Sequence, residues 1–227
     1  MTENFFERVK KTWSWIWYSD SILSWLVALI IIFIFVKFIF FPLLSLVMGT
    51  SLPLAGVESS SMDHQIVKDD AGIFNLCGEA YAPTQATYID FDEYWNRCGE
   101  WYEVRSITKE EFSQFYLKNG FKKGDILIVW GRFYPKIGDT IIFKPNVDSL
   151  APRPIVHRVV QINQVNGETI IQTKGDHNRE QLDKNNNIYR TDEKNIAQDQ
   201  IIGKVIFRVP YLGWLKIWMM EITSRIF

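Results

Sequence analysis

Ile22 to Met48 reads ILSWLVALIIIFIFVKFIFFPLLSLVM, an apolar run in which Lys37 is the only charge. It exceeds the roughly 20 apolar residues that a membrane-spanning helix requires, so residues 21–49 are expected to form an anchor. A cleaved secretory signal is the alternative, and small residues between Ser45 and Gly56 would suit cleavage. The apolar part of such a signal, however, is usually only about 7–15 residues long. Pro42 lacks an N–H and clashes with the preceding turn, so it is expected to end or kink the helix. Lys37 would then lie about a turn from the end, where its ammonium can reach the headgroups. Arg8, Lys10 and Lys11 precede the run, and no Lys or Arg follows it until Lys68. The positive-inside rule places residues 1–20 in the cytoplasm and the chain beyond the anchor on the outer face of a cell membrane.

Composition narrows the partners. A net charge of −1 with 22% charged residues gives no electrostatic footprint for nucleic acid. At 227 residues the chain has room for one or two domains with a sizeable core. Cys77 and Cys98 fall in the outer part, where a disulfide persists. With no histidine beside them they make a poor zinc site, so a structural disulfide is expected and no metal.

Residues 65–120 read as an insertion with its own texture. Ala71 to Tyr88 is turn-rich, whereas FDEYWNRCGEWYE and TKEEFSQFYLKNG read as short helices. In the second, Thr108 and Glu111 are spaced as a capping box, with Gly120 as the stop. These helices are expected to pack on the main domain. Neither cysteine lies in a catalytic motif, so losing their bond is expected to loosen the insertion and spare basal activity.

From Phe121 the pattern changes to short β-branched runs bounded by Gly, Pro and Asn: GDILIVWG, GDTIIFKP, IVHRVVQINQV, ETIIQTKGD and IIGKVIFRVP. An Asn-Gly turn at Asn166–Gly167 marks a hairpin. The fold class is therefore mainly β, an antiparallel β domain over residues 121–209. Residues 210–227 place Leu215, Trp218, Met219, Ile222 and Ile226 on one helical face, a tail expected to lie on a membrane surface or pack on the sheet.

The chain has three histidines, His64, His157 and His177. His157 sits in a strand, a serine cluster (Ser59, Ser60, Ser61) follows the anchor in segment 50–64, and Asp176 and Asp183 lie in the loop after the next strand. These are the parts of a Ser-His-Asp system, in which histidine takes the hydroxyl proton and the carboxylate fixes its tautomer. Spacing alone does not bring them together in space.

ESSSMDH behind an anchor, followed in order by GDTIIFKP, IVHRVV, TKGDHN and VIFRVPYLGW, resembles the motif series of type I signal peptidases of the archaeal and endoplasmic-reticulum kind. The resemblance covers the anchor, the serine segment and about Phe121 to Trp214, not the insertion. It implies Ser61 as nucleophile, Ser59 as an oxyanion-hole hydroxyl and His157 as base, where bacterial relatives carry lysine. That branch commonly places its acid six residues after the Gly-Asp aspartate. Here that position is Leu182, so Asp183 is expected as the third member, with Asp176 shaping the loop. His64 and His177 are expected at loop and cleft edges. The implied fold is an antiparallel β catalytic domain on a transmembrane helix, acting without cofactor. The implied substrates are secretory preproteins cut after small residues, with the lipid bilayer as partner and the translocation machinery as a candidate. A catalytically inactive preprotein-binding protein, or a serine protease with another membrane substrate, are the rival readings.

Overall fold

A computed structural model describes residues 4–68, 72–82 and 89–213. The chain divides into two compact units, Met1–Val47 and Met48–Phe227.

The first unit is helical. α1 spans Phe5–Tyr18. After a short break the chain runs helically from Ile22 to Met48, 27 residues that include an 18-residue stretch with a mean hydropathy of 2.9, long and apolar enough to cross a membrane. Within it, α2 (Ile22–Phe35) and α3 (Phe41–Met48) flank a π-helical turn, Val36–Phe40. Pro42 therefore does not end the helix. The wider turn just before it takes up the missing donor and the ring's bulk, a usual accommodation of proline. Lys37 consequently lies in the π turn, well before the end, with its ammonium over the Phe33 and Phe38 rings at 5.6 and 5.3 Å.

The second unit is built on a seven-stranded antiparallel sheet in the order β1-β5-β10-β6-β7-β8-β9. Its strands are β1 (Leu54–Gly56), β5 (Ile126–Trp130), β6 (Thr140–Phe143), β7 (Ile155–Val165), β8 (Glu168–Lys174), β9 (Ile196–Ala197) and β10 (Ile201–Val209). The five β-branched runs of the sequence supply the five longest. Asn166 and Gly167 turn between β7 and β8 with φ of 53° and 85°, the double left-handed geometry that an Asn-Gly hairpin prefers. Alternation splits the sheet's apolar residues. Ile141, Val159 and Ile171 form one buried cluster, while Leu127, Val129 and Ile142 join Met62 and Phe121 in another.

The insertion is a small module with its own core. A three-stranded sheet, β2 (Val67–Lys68), β3 (Phe74–Leu76) and β4 (Glu79–Ala80), precedes α4 (Phe91–Cys98), α5 (Glu100–Glu103) and α6 (Lys109–Gln114). Asp90 caps α4 through the Glu93 N–H. Thr108 and Glu111 form the full capping box of α6. That helix ends at Gln114, earlier than the glycine stop; Gly120 instead bridges to Asp63 with φ +64°. A disulfide, Cys77–Cys98, ties the strand arm to the end of α4. Tyr94, Trp95, Tyr102 and Phe112 are buried together with Val160, the residue displaced at a bulge in β7. The tail beyond Gly213 lies outside the described residues.

Candidate active site

Ser61 sits in a tight turn closed by the Asp63 N–H on the Ser60 carbonyl. Met62, buried beneath it, plugs the core and its carbonyl accepts from Phe121 N at 3.0 Å. The Ser61 carbonyl accepts from His177 N at 2.9 Å, which ties the turn to the segment that follows β8. Gly175 in that segment is required to be small. A Cβ there would lie 2.8 Å from both His157 Nε2 and the Ser61 carbonyl.

His157, in β7, pairs with Ile141 of β6 and is 3% exposed. Its Nε2 stands 2.9 Å from Ser61 Oγ. Its Nδ1 makes a short contact with a carboxylate oxygen of Glu193, which is fully buried. An ionised carboxylate can only accept, so the imidazole proton belongs on Nδ1 and Nε2 is left to accept from the serine. Glu193 is itself held: Thr173 Oγ1 donates to Oε1 at 2.8 Å and Leu182 N to Oε2 at 2.7 Å. Ser59 Oγ lies 3.2 Å from Ser61 Oγ and is exposed. A hydroxyl, an imidazole and a buried carboxylate in this line can move a proton from the oxygen to the ring and hold the resulting imidazolium.

The carboxylate on His157 is thus Glu193 and not Asp183. Asp183 shapes its own loop, accepting from Asn185 N at 3.0 Å and from Lys194 Nζ at 3.1 Å. The Asn185 backbone bond, reinforced by Lys194, lowers its pKa. Counting from the Gly-Asp pair presumes a loop of constant length. Here the loop runs on and returns antiparallel to its start, Thr173 N meeting the Glu193 carbonyl at 3.0 Å and Glu193 N the Leu182 carbonyl at 2.8 Å. The one local signal is an acid shortly before the last strand pair, and Asp192 carries that signal equally.

Asp176 faces away from His157 into a buried polar cluster. Arg158 grips it with Nε at 3.0 Å and Nη2 at 2.6 Å, and Arg158 spends its other donors on the Gly138, Tyr116 and Leu117 carbonyls. Tyr102 Oη donates to Asp176 Oδ1 at 3.0 Å, and His64 Nε2 lies 2.9 Å from Oδ2. Burial raises the Asp176 pKa, but the Arg158 charge and the His64 hydrogen bond outweigh it and hold the carboxyl well below the usual range. His64 is not at a cleft edge. It is 3% exposed, stacked on Tyr94 at 3.6 Å, and burial pushes its pKa down. His177 is buried too, with Nδ1 donating to the Asp63 carbonyl at 2.9 Å. Both histidines sit inside because the insertion closes over them. Among the described residues no group of His, Cys, Asp and Glu is arranged to hold a metal ion.

No family model matches the chain. Curated relatives do. The signal peptidase complex catalytic subunit SEC11 of Lachancea thermotolerans is 32% identical over 111 residues, 46% of this chain and 61% of that protein. Over that stretch the chain is similar to signal peptidase catalytic subunits. The subunit of the same name from Saccharomyces cerevisiae is 33% identical over 110 residues, again 46% and 61% of the two chains. That of Colletotrichum graminicola is 28% identical over 108 residues, 46% and 59%. This chain therefore spans about three fifths of the length of the curated relatives it matches.

Proposed function

We propose that this protein is a membrane-anchored serine endopeptidase that removes signal peptides from secretory preproteins after small-x-small sites. The observation that carries the reading is the Ser61 Oγ to His157 Nε2 contact of 2.9 Å, with the Glu193 carboxylate behind the ring. Ser61 attacks the scissile carbonyl as His157 takes its proton. Glu193 holds the Nδ1 tautomer and stabilises the imidazolium. The Ser61 N–H and the Ser59 hydroxyl receive the developing oxyanion, and the ring then protonates the leaving amine. Water, activated by the same histidine, releases the acyl group from Ser61. The apolar helix Ile22–Met48 anchors the chain, with residues 1–20 cytoplasmic and the β domain on the opposite face, where a signal's cleavage site emerges. The substrates are preproteins delivered through the bilayer, with the translocation machinery as a neighbouring partner. A binding protein without catalysis needs no such proton path.

The test is cleavage of a preprotein bearing an Ala-x-Ala site by the purified full chain. Wild type cuts at that site, and Ser61→Ala loses activity by thousands-fold while remaining folded. Cleavage by Ser61→Ala at near the wild-type rate would falsify the reading.

A further inference from the structure

α1 lies outside everything the catalytic reading uses. At 100° per residue, Phe5, Phe6, Val9, Trp13, Ile16 and Trp17 occupy one arc of about 120°. Glu7, Arg8, Lys10, Lys11, Thr12 and Ser14 lie on the rest together with Trp15 and Tyr18, and the charges there are three basic groups against one acid. Among the described residues the arc is largely uncovered, with Ile16 half-buried: Trp13 is 60% exposed, Trp17 41%, and their rings pack together at 5.6 Å. A water-facing helix with two tryptophans and two phenylalanines on one side would be an aggregation hazard.

The break after α1 bears on what could cover that arc. Ser19 and Ser21 are extended, with ψ of 139° and 133°, so α1 and the apolar helix are separate elements. The joint is built rather than slack. Ser24, fully buried, donates to the Ser21 carbonyl at 2.7 Å and lies 2.9 Å from the Ser19 carbonyl. Three residues therefore separate the amphipathic helix from the start of a span long and apolar enough to cross a membrane. Tryptophan favours the headgroup level, and basic side chains on the opposite arc favour anionic headgroups.

We propose that α1 is an interfacial helix lying in the headgroup region of the same bilayer, with the Phe6–Val9–Trp13–Ile16–Trp17 arc in the acyl boundary and Arg8 and Lys10 toward anionic lipid. The surface it recognises is lipid. It fixes the depth at which the apolar helix enters the membrane.

The experiment uses the full chain, disulfide intact, carrying one nitroxide-labelled cysteine at a time in phosphatidylcholine–phosphatidylglycerol vesicles. Labels at V9C and I16C should collide preferentially with oxygen and report a depth of about 5–10 Å. Labels at E7C and S14C should collide preferentially with a water-soluble nickel chelate. L29C, in the middle of the apolar helix, is the reference for lipid. If L29C is lipid-exposed while V9C and I16C are open to nickel, the proposal is overturned alone. If L29C is itself open to water, the anchor fails and the proposal with it. If V9C and I16C are shielded from both reagents, the arc is covered by protein and lipid docking is refuted.

Discussion

The Glu193 carboxylate donates nothing and accepts three bonds, from His157, Thr173 and the Leu182 N–H. A glutamine there would keep the size of the side chain. It would lose the charge that holds an imidazolium, and its amide would compete for the wrong tautomer of His157. Glu193→Gln is therefore expected to lower kcat by about 10⁴-fold, the scale of losing the carboxylate from a serine triad. Asp183→Asn should stay close to wild type, since its partners are Asn185 and Lys194 on the loop surface. Preprotein cleavage by the two variants, compared at matched folding, decides between them; a larger loss at Asp183 reverses the assignment. At this scale the serine and histidine were legible because each lies in a short local motif. Glu193 was not, because its place depends on how a long loop folds back.

Three elements of the insertion touch the segment that carries Gly175 and Asp176. α4 sends Tyr94 Oη to the Asp176 carbonyl at 2.9 Å, α5 sends Tyr102 Oη to its carboxylate at 3.0 Å, and Cys77 N, beside β3, donates to the His177 carbonyl at 2.9 Å. The same segment meets the Ser61 backbone. The expectation that loosening the insertion would spare cleavage therefore gives way to its opposite. Tyr102→Phe should cost about 1–3 kcal/mol of stability, the scale of one hydrogen bond to a buried charge, and should lower kcat with KM little changed. Cys77→Ser with Cys98→Ser should cost about 3 kcal/mol, the chain-entropy value for a loop of this order, and lower cleavage as well. Thermal melts followed by kinetics at a temperature where every variant is folded test both. Full activity in a destabilised variant would show that the insertion is only a lid on the core. The helices and capping box of this module were readable from spacing. Its sheet was not, because strands of two or three residues carry no period.

At the scale of the whole molecule, Lys174 joins the two cores. It is 1% exposed, its Nζ donates to the Gly175 carbonyl at 3.1 Å, and it lies 5.0 Å from the ring centres of both Trp101 and Tyr102. Burial pulls its pKa from 10.5 down to about 8, despite the opposing charges of Asp176, Glu193 and Glu180. The sign follows. Below pH 8 both folded and unfolded chains hold the proton; between 8 and 10.5 the unfolded chain holds more, so stability rises with pH. Between pH 7 and 9.5 this single group should add about 2 kcal/mol. Denaturant unfolding of wild type and Lys174→Met at the two pH values isolates it as a double difference, and an equal pH response in both chains would refute it. Pattern along the chain determined the apolar helix, the five long strands and the Asn-Gly hairpin, because burial periodicity and turn chemistry act between near neighbours. The family resemblance, not the pattern, singled out Ser61 and His157, which the fold brings to 2.9 Å. Tertiary structure alone decided that Pro42 leaves its helix unbroken and that Glu193 backs His157. It also decided that His64, Arg158, Asp176 and Lys174 are buried together beneath the insertion. Those outcomes depend on desolvation and partners brought from distant parts of the chain, and neither is written in the spacing of residues.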